Sequence, residues 1–408
     1  MLFLKIAWKN VLRRPTRTAI TVSAIGLGLA FFVLLWSLAD GLYAQLINNS
    51  IGFQLGHLQI NATGFRQEYN PKIALNESDK ITDWLEKDKR IKNYSKRIET
   101  PAFLYSATGS MGILLTGINP SEEAKVTVIS RTISAGDYLD ERDERSILIG
   151  KYLAENLGVD LGEKLIVTVS AADGTLAQEA FRVKGIFNTG VENFDKSLVF
   201  ITLASAQRIL TLEKKVSTIA VVLKEGAKVE EVEQDLKNEF GNVIYDIRSW
   251  KEIMPIIVQM IDLFNLILYL VLEIVFVVMA IGVSNTILMS VIERTREFGM
   301  LMAIGTSGSR IVKMVIFESI FIGIIGIIIG NAIGIILILA IGRIGIDLSL
   351  ISSALRNYPG LMRMVYPVIV IQHLIIPSLL LLLVNVLVSL YPSVKAARLK
   401  PMEAIRFI

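Results

Sequence analysis

The sequence predicts an α-helical membrane protein with a large α+β domain held outside the bilayer. Four long apolar stretches predict it, together with a mixed-polarity block between the first two and a clustering of basic residues in the short segments. Of the 408 residues, 52% are apolar, more than a soluble globule usually carries.

A hydrocarbon core of about 30 Å takes about 20 apolar residues in a helix. Residues 18–40, 255–292, 311–341 and 366–391 meet that length. The first resembles a signal peptide, with a basic lead and Ser37-Leu38-Ala39 at its end. A signal core is only about 7–15 residues, so a retained helix is expected.

Orientation follows from basic residues in short segments. Residues 1–17 carry Lys5, Lys9, Arg13, Arg14 and Arg17 without an acid, in a pattern that suits an amphipathic interfacial helix or a simple basic anchor. Segment 293–310 carries Arg294, Arg296 and Arg310, with Lys313 just beyond, and tail 392–408 carries Lys395, Arg398, Lys400 and Arg406. Loop 342–365 has only Arg343, Arg356 and Arg363. Both termini and the 293–310 link are therefore expected in the cytoplasm, and residues 41–254 and 342–365 outside.

As one helix, residues 255–292 would run about 57 Å, too long for a single crossing. Their first part is expected to stand outside the bilayer as a stalk carrying Asp262 and Asn265. Glu273 then lies near the outer interface, since a charge at the bilayer centre costs about 2.5–3.5 kcal/mol. The first helix can extend outward likewise, through Ile47.

In block 41–254 the apolar period shortens to that of strands. Ile113–Leu115, Leu165–Val169, Val199–Ile201 and Ile219–Leu223 read as strands, and Ala172-Asp173-Gly174 as a hairpin turn. Lys151–Leu157, Ala204–Leu210 and Val229–Phe240 read as helices. The charged run Asp140–Arg145 reads as a solvated loop.

No catalytic set converges. The absence of cysteine excludes disulfides and thiolate chemistry. His57 and His373 are far apart and lack ligand-like spacing. Gly150-Lys151-Tyr152 lacks the hydroxyl residue and preceding glycine of a phosphate loop. No metal, cofactor or nucleic acid is expected on this chain.

The link Glu293-Arg294-Thr295-Arg296-Glu297-Phe298-Gly299-Met300-Leu301 mixes acids and apolar residues that a basic anchor does not need. A short helix docking into a soluble partner does need them. Glu293, Arg294, Arg296, Glu297, Phe298 and Leu301 are the candidate coupling residues.

This link resembles the cytoplasmic motif of FtsX-like ABC permeases. The tail, Tyr391-Pro392-Ser393-Val394-Lys395-Ala396-Ala397 through Pro401-Met402-Glu403-Ala404-Ile405-Arg406, is similar to that family's terminal signature, and Ala7–Thr18 to its opening. Gly56–Ile60, Leu148–Ala154 and Phe181–Phe187 are similar to the lipoprotein-releasing LolC/LolE branch. The resemblance implies a permease paired with a second copy or paralogue above two cytoplasmic ABC ATPase subunits, which would hold the ATP and Mg. It implies location in the bacterial inner membrane, among its lipids, with a lipoprotein substrate and a periplasmic carrier. MacB-like efflux and FtsX-like control of cell-wall hydrolases are the alternatives. MacB-type chains carry a fused ATPase domain that is not seen here, and FtsX-type outer domains are usually smaller. A stand-alone membrane enzyme ranks last.

Phe31, Phe32, Leu35, Phe264 and Leu268 are candidates for an acyl or lipoprotein cavity, with ordinary packing as the plain alternative. Gly326, Gly330 and Gly334 repeat at every fourth position, the spacing of a close helix–helix contact. Asn331 and Asn385 are expected to bond across helices, and Glu318 to pair with the coupling segment. A tag inserted at Ser110 should be labelled only from outside the membrane; cytoplasmic labelling would overturn the topology.

Overall fold

The computed structural model describes residues 2–13, 15–241, 243–347 and 364–398. Along the chain come α1 (Leu2–Arg13), α2 (Pro15–Ser50), a π-helical turn (Ile51–Leu55) and β1 (Leu58–Ala62). Next are α3 (Phe65–Glu68), α4 (Ser78–Lys87), β2 (Ile91–Tyr105), β3 (Ser110–Ile118), α5 (Pro120–Val126), β4 (Ile133–Gly136) and β5 (Ser146–Gly150). They are followed by α6 (Lys151–Leu157), β6 (Lys164–Ser170), β7 (Leu176–Phe187), α7 (Glu192–Ser197), β8 (Leu198–Thr202) and α8 (Leu203–Leu210). Then come β9 (Thr218–Leu223), α9 (Val229–Phe240), β10 (Tyr245–Ser249), α10 (Trp250–Ile253) and α11 (Pro255–Glu293). The chain continues with α12 (Thr295–Ala303), α13 (Gly308–Ile344), the short pair β11 (Ile346–Asp347) and β12 (Met364–Val365), and α14 (Ile371–Ala397). Two compact units result. One draws on residues before 44, on 261–347 and on those after 363; the other is built from 44–260.

In the first unit, α2, α11, α13 and α14 are each long and apolar enough to cross a membrane. Pro15 opens α2 at the position where a missing N–H costs nothing. From there α2 runs unbroken to Ser50, and α11 likewise from Pro255 to Glu293, both longer than a bilayer core requires.

The fourth span departs from the expected 366–391. It begins at Ile371 because Tyr366–Val370 is not helical. Pro367 lacks an N–H, and Val368 is tied to α2, its N–H donating to the Ser37 carbonyl at 3.0 Å and its carbonyl accepting from Ser37 Oγ at 2.6 Å. At the other end the helix runs on to Ala397 through Pro392. Arg356 and Arg363, and the signature residues from Leu399 to Arg406, lie outside the described residues.

The glycine spacing of α13 is a seam against α2. A Cβ at Gly326 would lie 2.5 Å from Ile25, at Gly330 2.8 Å from the Gly26 carbonyl, and at Gly334 3.3 Å from Val33. Polar side chains join α13 to α14. Ser319 Oγ donates to Asn385 Oδ1 at 2.8 Å, Asn385 Nδ2 to the Ser319 carbonyl at 3.0 Å, and Asn331 Nδ2 to Ser378 Oγ at 2.9 Å. Such bonds are worth about 0.6–2 kcal/mol between membrane helices.

The second unit carries two sub-sheets that share β2. Its first half pairs with β9, which continues to β1 and β10. Its second half enters a six-stranded closed barrel in the order β2-β3-β8-β5-β7-β6, with β6 returning to β2. Closure removes exposed strand edges. Alternation sends Leu104, Leu115, Val167, Phe181 and Val199 inward, all essentially buried. A second core under α4 and α9 gathers Leu58, Ile81, Val221, Leu236 and Ile247.

The predicted turn at Ala172-Asp173-Gly174 joins β6 to β7. Asp173 Oδ1 accepts from the Thr175 N–H at 2.8 Å, and Gly174 takes φ +89°. His57 is structural: its Nδ1 accepts from the Leu223 N–H at 3.2 Å, and burial, aided by Lys92, holds its pKa below the ordinary histidine value.

Gly330→Leu should lower stability by about 1–3 kcal/mol, the usual cost of overpacking. Gly342→Leu in the same helix, where a Cβ meets nothing within 4 Å, should change little. Thermal unfolding of the detergent-solubilised chain checks the contrast.

Candidate functional site

The short helix α12 lies between the ends of α11 and α13. Thr295 Oγ1 caps the end of α11, donating to the carbonyls of Ile292 at 2.8 Å and Val291 at 3.2 Å. Gly305 ends α12 with φ +94°, a conformation side chains disfavour. Its N–H bonds Met302 at 3.0 Å, and that of Thr306 bonds Leu301 at 2.9 Å, so the last carbonyls of α12 are satisfied.

A charge network ties this helix to its neighbours. Arg294 donates from Nε to Glu297 Oε2 and from Nη1 to Glu318 Oε2, each at 3.0 Å. Its guanidinium also stacks 5.1 Å from the Phe298 ring centroid. Arg17 of α2 grips both oxygens of Glu293, at 2.9 and 2.5 Å. Arg13 of α1 reaches Glu297 at 3.5 Å. The network borders a cavity of about 210 Å³, also lined by Asn10, Thr18 and Ser290.

The links are unequal. Arg13–Glu297 is exposed, and such pairs contribute about 0–1 kcal/mol. Arg294 and Glu318 are largely buried. Removing one partner of a buried pair costs about 3–5 kcal/mol, because the other charge is left uncompensated. Five segments are thus joined through complementary charges: α1, α2, the end of α11, α12 and α13.

The candidate coupling residues divide into three groups. Glu293, Arg294 and Glu297 belong to the network, and Glu318 joins it as the sequence suggested. Phe298 is 1% exposed and packs with Ile311, Val315 and Val291 in the core. Leu301 packs partly against the same core. Arg296 is exposed, and it shares its face with Met300 and Ile304, which are 50% and 81% exposed. Sequence reasoning missed those two, although positions 296, 300 and 304 follow the four-residue spacing of one helix face.

The acyl candidates do not converge. Phe31 is exposed, while Phe32 on another face is buried edge-on against Trp36 at 5.1 Å and beside Leu272. Phe264 lies 6.5 Å from Tyr43, and Leu35 and Leu268 are half-buried. A second missed feature sits at the opposite end of the helices. His373 of α14 pairs with Asp40 of α2, and Trp36 stacks on the imidazole at 4.5 Å. The two residues are 333 positions apart, so no spacing rule could join them.

Long apolar helices gathered around a charge-locked, partly exposed connecting helix, with a folded domain inserted after the first, describe a membrane permease. Family models agree: residues 18–239 match the MacB-like periplasmic core domain and residues 269–401 the FtsX-like permease C-terminal region. The chain belongs to this family of ABC transporter permeases. The lipoprotein-releasing system transmembrane protein LolC of Neisseria meningitidis is 23% identical to it, over 96% of this chain and 94% of its own. An ABC transporter permease of Methanocaldococcus jannaschii is 26% identical over 98% and 96%. The macrolide export ATP-binding/permease protein MacB of Hyphomonas neptunium is 26% identical over 85% of this chain and 54% of its own.

Glu293→Arg should lower the melting temperature of the purified chain, and adding Arg17→Glu should restore most of the loss, with a coupling of about 0.5–3 kcal/mol. Arg13→Glu alone should change it little. Equal effects from Arg13 and Arg17 would refute the ranking of the links.

Proposed function

We propose that this permease works with a separate cytoplasmic ABC ATPase pair to extract lipoproteins from the outer leaflet of the bacterial inner membrane. The cargo would pass to a periplasmic carrier for delivery toward the outer membrane. The observation that carries this reading is the nearly end-to-end similarity to LolC. A second permease chain, a copy or a paralogue, completes the assembly.

The mechanism starts at α12. Its exposed face, Arg296, Met300 and Ile304, suits a groove on an ATPase subunit: an apolar anchor pair with a cation at its rim. Force applied there would pass through Arg294 to α13 at Glu318, and through Glu293 to α2 at Arg17. Both α2 and α11 continue past the length needed to cross the bilayer, so a shift at the ATPase end would be carried along rigid rods. Substrate acyl chains would meet exposed apolar positions such as Phe31. MacB-like export is the second reading, supported by the match of residues 18–239 to that core domain.

Depleting the protein should strand lipoproteins in the inner membrane, as read by fractionation. Normal sorting with increased drug sensitivity would move the assignment to export. Met300→Lys combined with Ile304→Asp should reduce co-purifying ATPase by at least about tenfold, as loss of an interface anchor does, while the chain still inserts. Undiminished ATPase would sink the docking face.

A further inference from the structure

We infer that Arg97 is a positioning residue: it pins the turn in which α2 ends to β2 and α5, so that movement of that turn is passed into the sheet. This rests on the reading that ATP hydrolysis drives the outer domain, and it adds the residue through which the drive is delivered.

Strand alternation places Ser95, Arg97 and Glu99 on one face of β2, and all three are buried. Arg97 is 1% exposed. A guanidinium is among the least favourable groups to bury, and it stays buried only when its donors are matched. Here Nε and Nη2 grip Glu123 at 2.9 and 2.7 Å, and Nη1 donates to the main-chain carbonyl of Gln54. Glu123 is itself buried on α5, whose first turn is set by Pro120 and by Asn119, which accepts from the Ser121 N–H at 3.1 Å.

Gln54 belongs to the π-helical turn that follows α2. The last carbonyls of a helix have no partner within it. The Gly52 carbonyl is met by the Val128 N–H at 2.9 Å, and the Gln54 carbonyl by Arg97. A cation at that end also complements the helix dipole. Between them Phe53 buries its ring edge-on to Phe194 at 5.6 Å. Two residues past the end of the turn at Leu55, the His57 N–H bonds the Val221 carbonyl at 2.8 Å. Over these few residues the chain is bolted to β2, to the segment after α5, to α7 and to β9.

Stability alone does not require the ion pair. Well-packed apolar residues of similar volume often match a buried pair in stability or exceed it. An apolar pair cannot satisfy the Gln54 carbonyl. Lysine cannot either while also holding Glu123 bidentately, because it is a point charge rather than a fork. The guanidinium is therefore fitted to join the helix end to α5, and it also lies 3.9 Å from the buried carboxylate of Glu99.

The test uses the full-length chain in lipid nanodiscs, with hydrogen exchange read by mass spectrometry. Arg97→Met combined with Glu123→Met, and separately Arg97→Lys, should speed exchange of residues 53–57 by about tenfold or more and leave the barrel core protected. Unchanged protection at 53–57 in a folded variant overturns the clamp. If the double variant does not fold, Arg97→Lys decides. In complex with the ATPase, adding ATP and vanadate should alter exchange across residues 91–126 of the wild type and not of the variants. An equal response in the variants overturns the positioning role. If the wild type itself shows no nucleotide response, the reading of an ATP-driven domain fails, and the clamp is still decided by the first measurement.

Discussion

The membrane unit depends on how closely α2 and α13 approach. Gly326, Gly330 and Gly334 leave no side chain where Ile25, Gly26 and Val33 sit, so the two backbones meet almost directly. Lipid is as apolar as the helices it surrounds, so burial of apolar surface from water does not drive this contact; dispersion and shape do. Once α2 and α13 are fixed, α14 follows through the bonds at Asn331 and Asn385. The bulky α11 keeps a broad exposed apolar face, with Ile274, Val278 and Ile281 turned outward.

At the basic ends of these helices the chemistry changes from packing to charge. The link between α11 and α13 carries acids as well as arginines, and Arg294, Glu297 and the adjoining Glu293 have complementary partners on other elements. Arg294 holds Glu297 and Glu318, while Arg17 holds Glu293. Such pairs add modest stability when solvated, and a desolvated pair is costly to break because one charge is then left uncompensated. The helix α12 is thereby held from behind by charge, with Arg296, Met300 and Ile304 on its open face.

Much of the architecture was legible because its signals are local. Span length, basic asymmetry and the strand period of residues 113–115 or 165–169 each follow from a window of the chain. The helix over Lys151–Leu157 has the bounds the pattern suggested. The glycine seam was legible as a spacing, without its partner helix. Less was legible where one residue type serves two environments. Phe298 sits in a docking-like motif, yet its ring is in the core, because Arg294 covers it and Met300 takes the open face. Phe31 and Phe32 are neighbours in the sequence, and the 100° step of a helix sends them to different surroundings.

The sequence by itself determined the four long apolar helices, the fold class, the connecting helix and the absence of a disulfide framework, because hydropathy, charge and composition act over short windows or over the whole chain. Only the tertiary structure decided which charges pair, that six strands close into a barrel through β6, and that Asp40 meets His373. It also decided that Arg97 reaches the carbonyl of Gln54. These are contacts between residues tens to hundreds of positions apart. Their identity depends on register and crossing geometry, which no local pattern encodes.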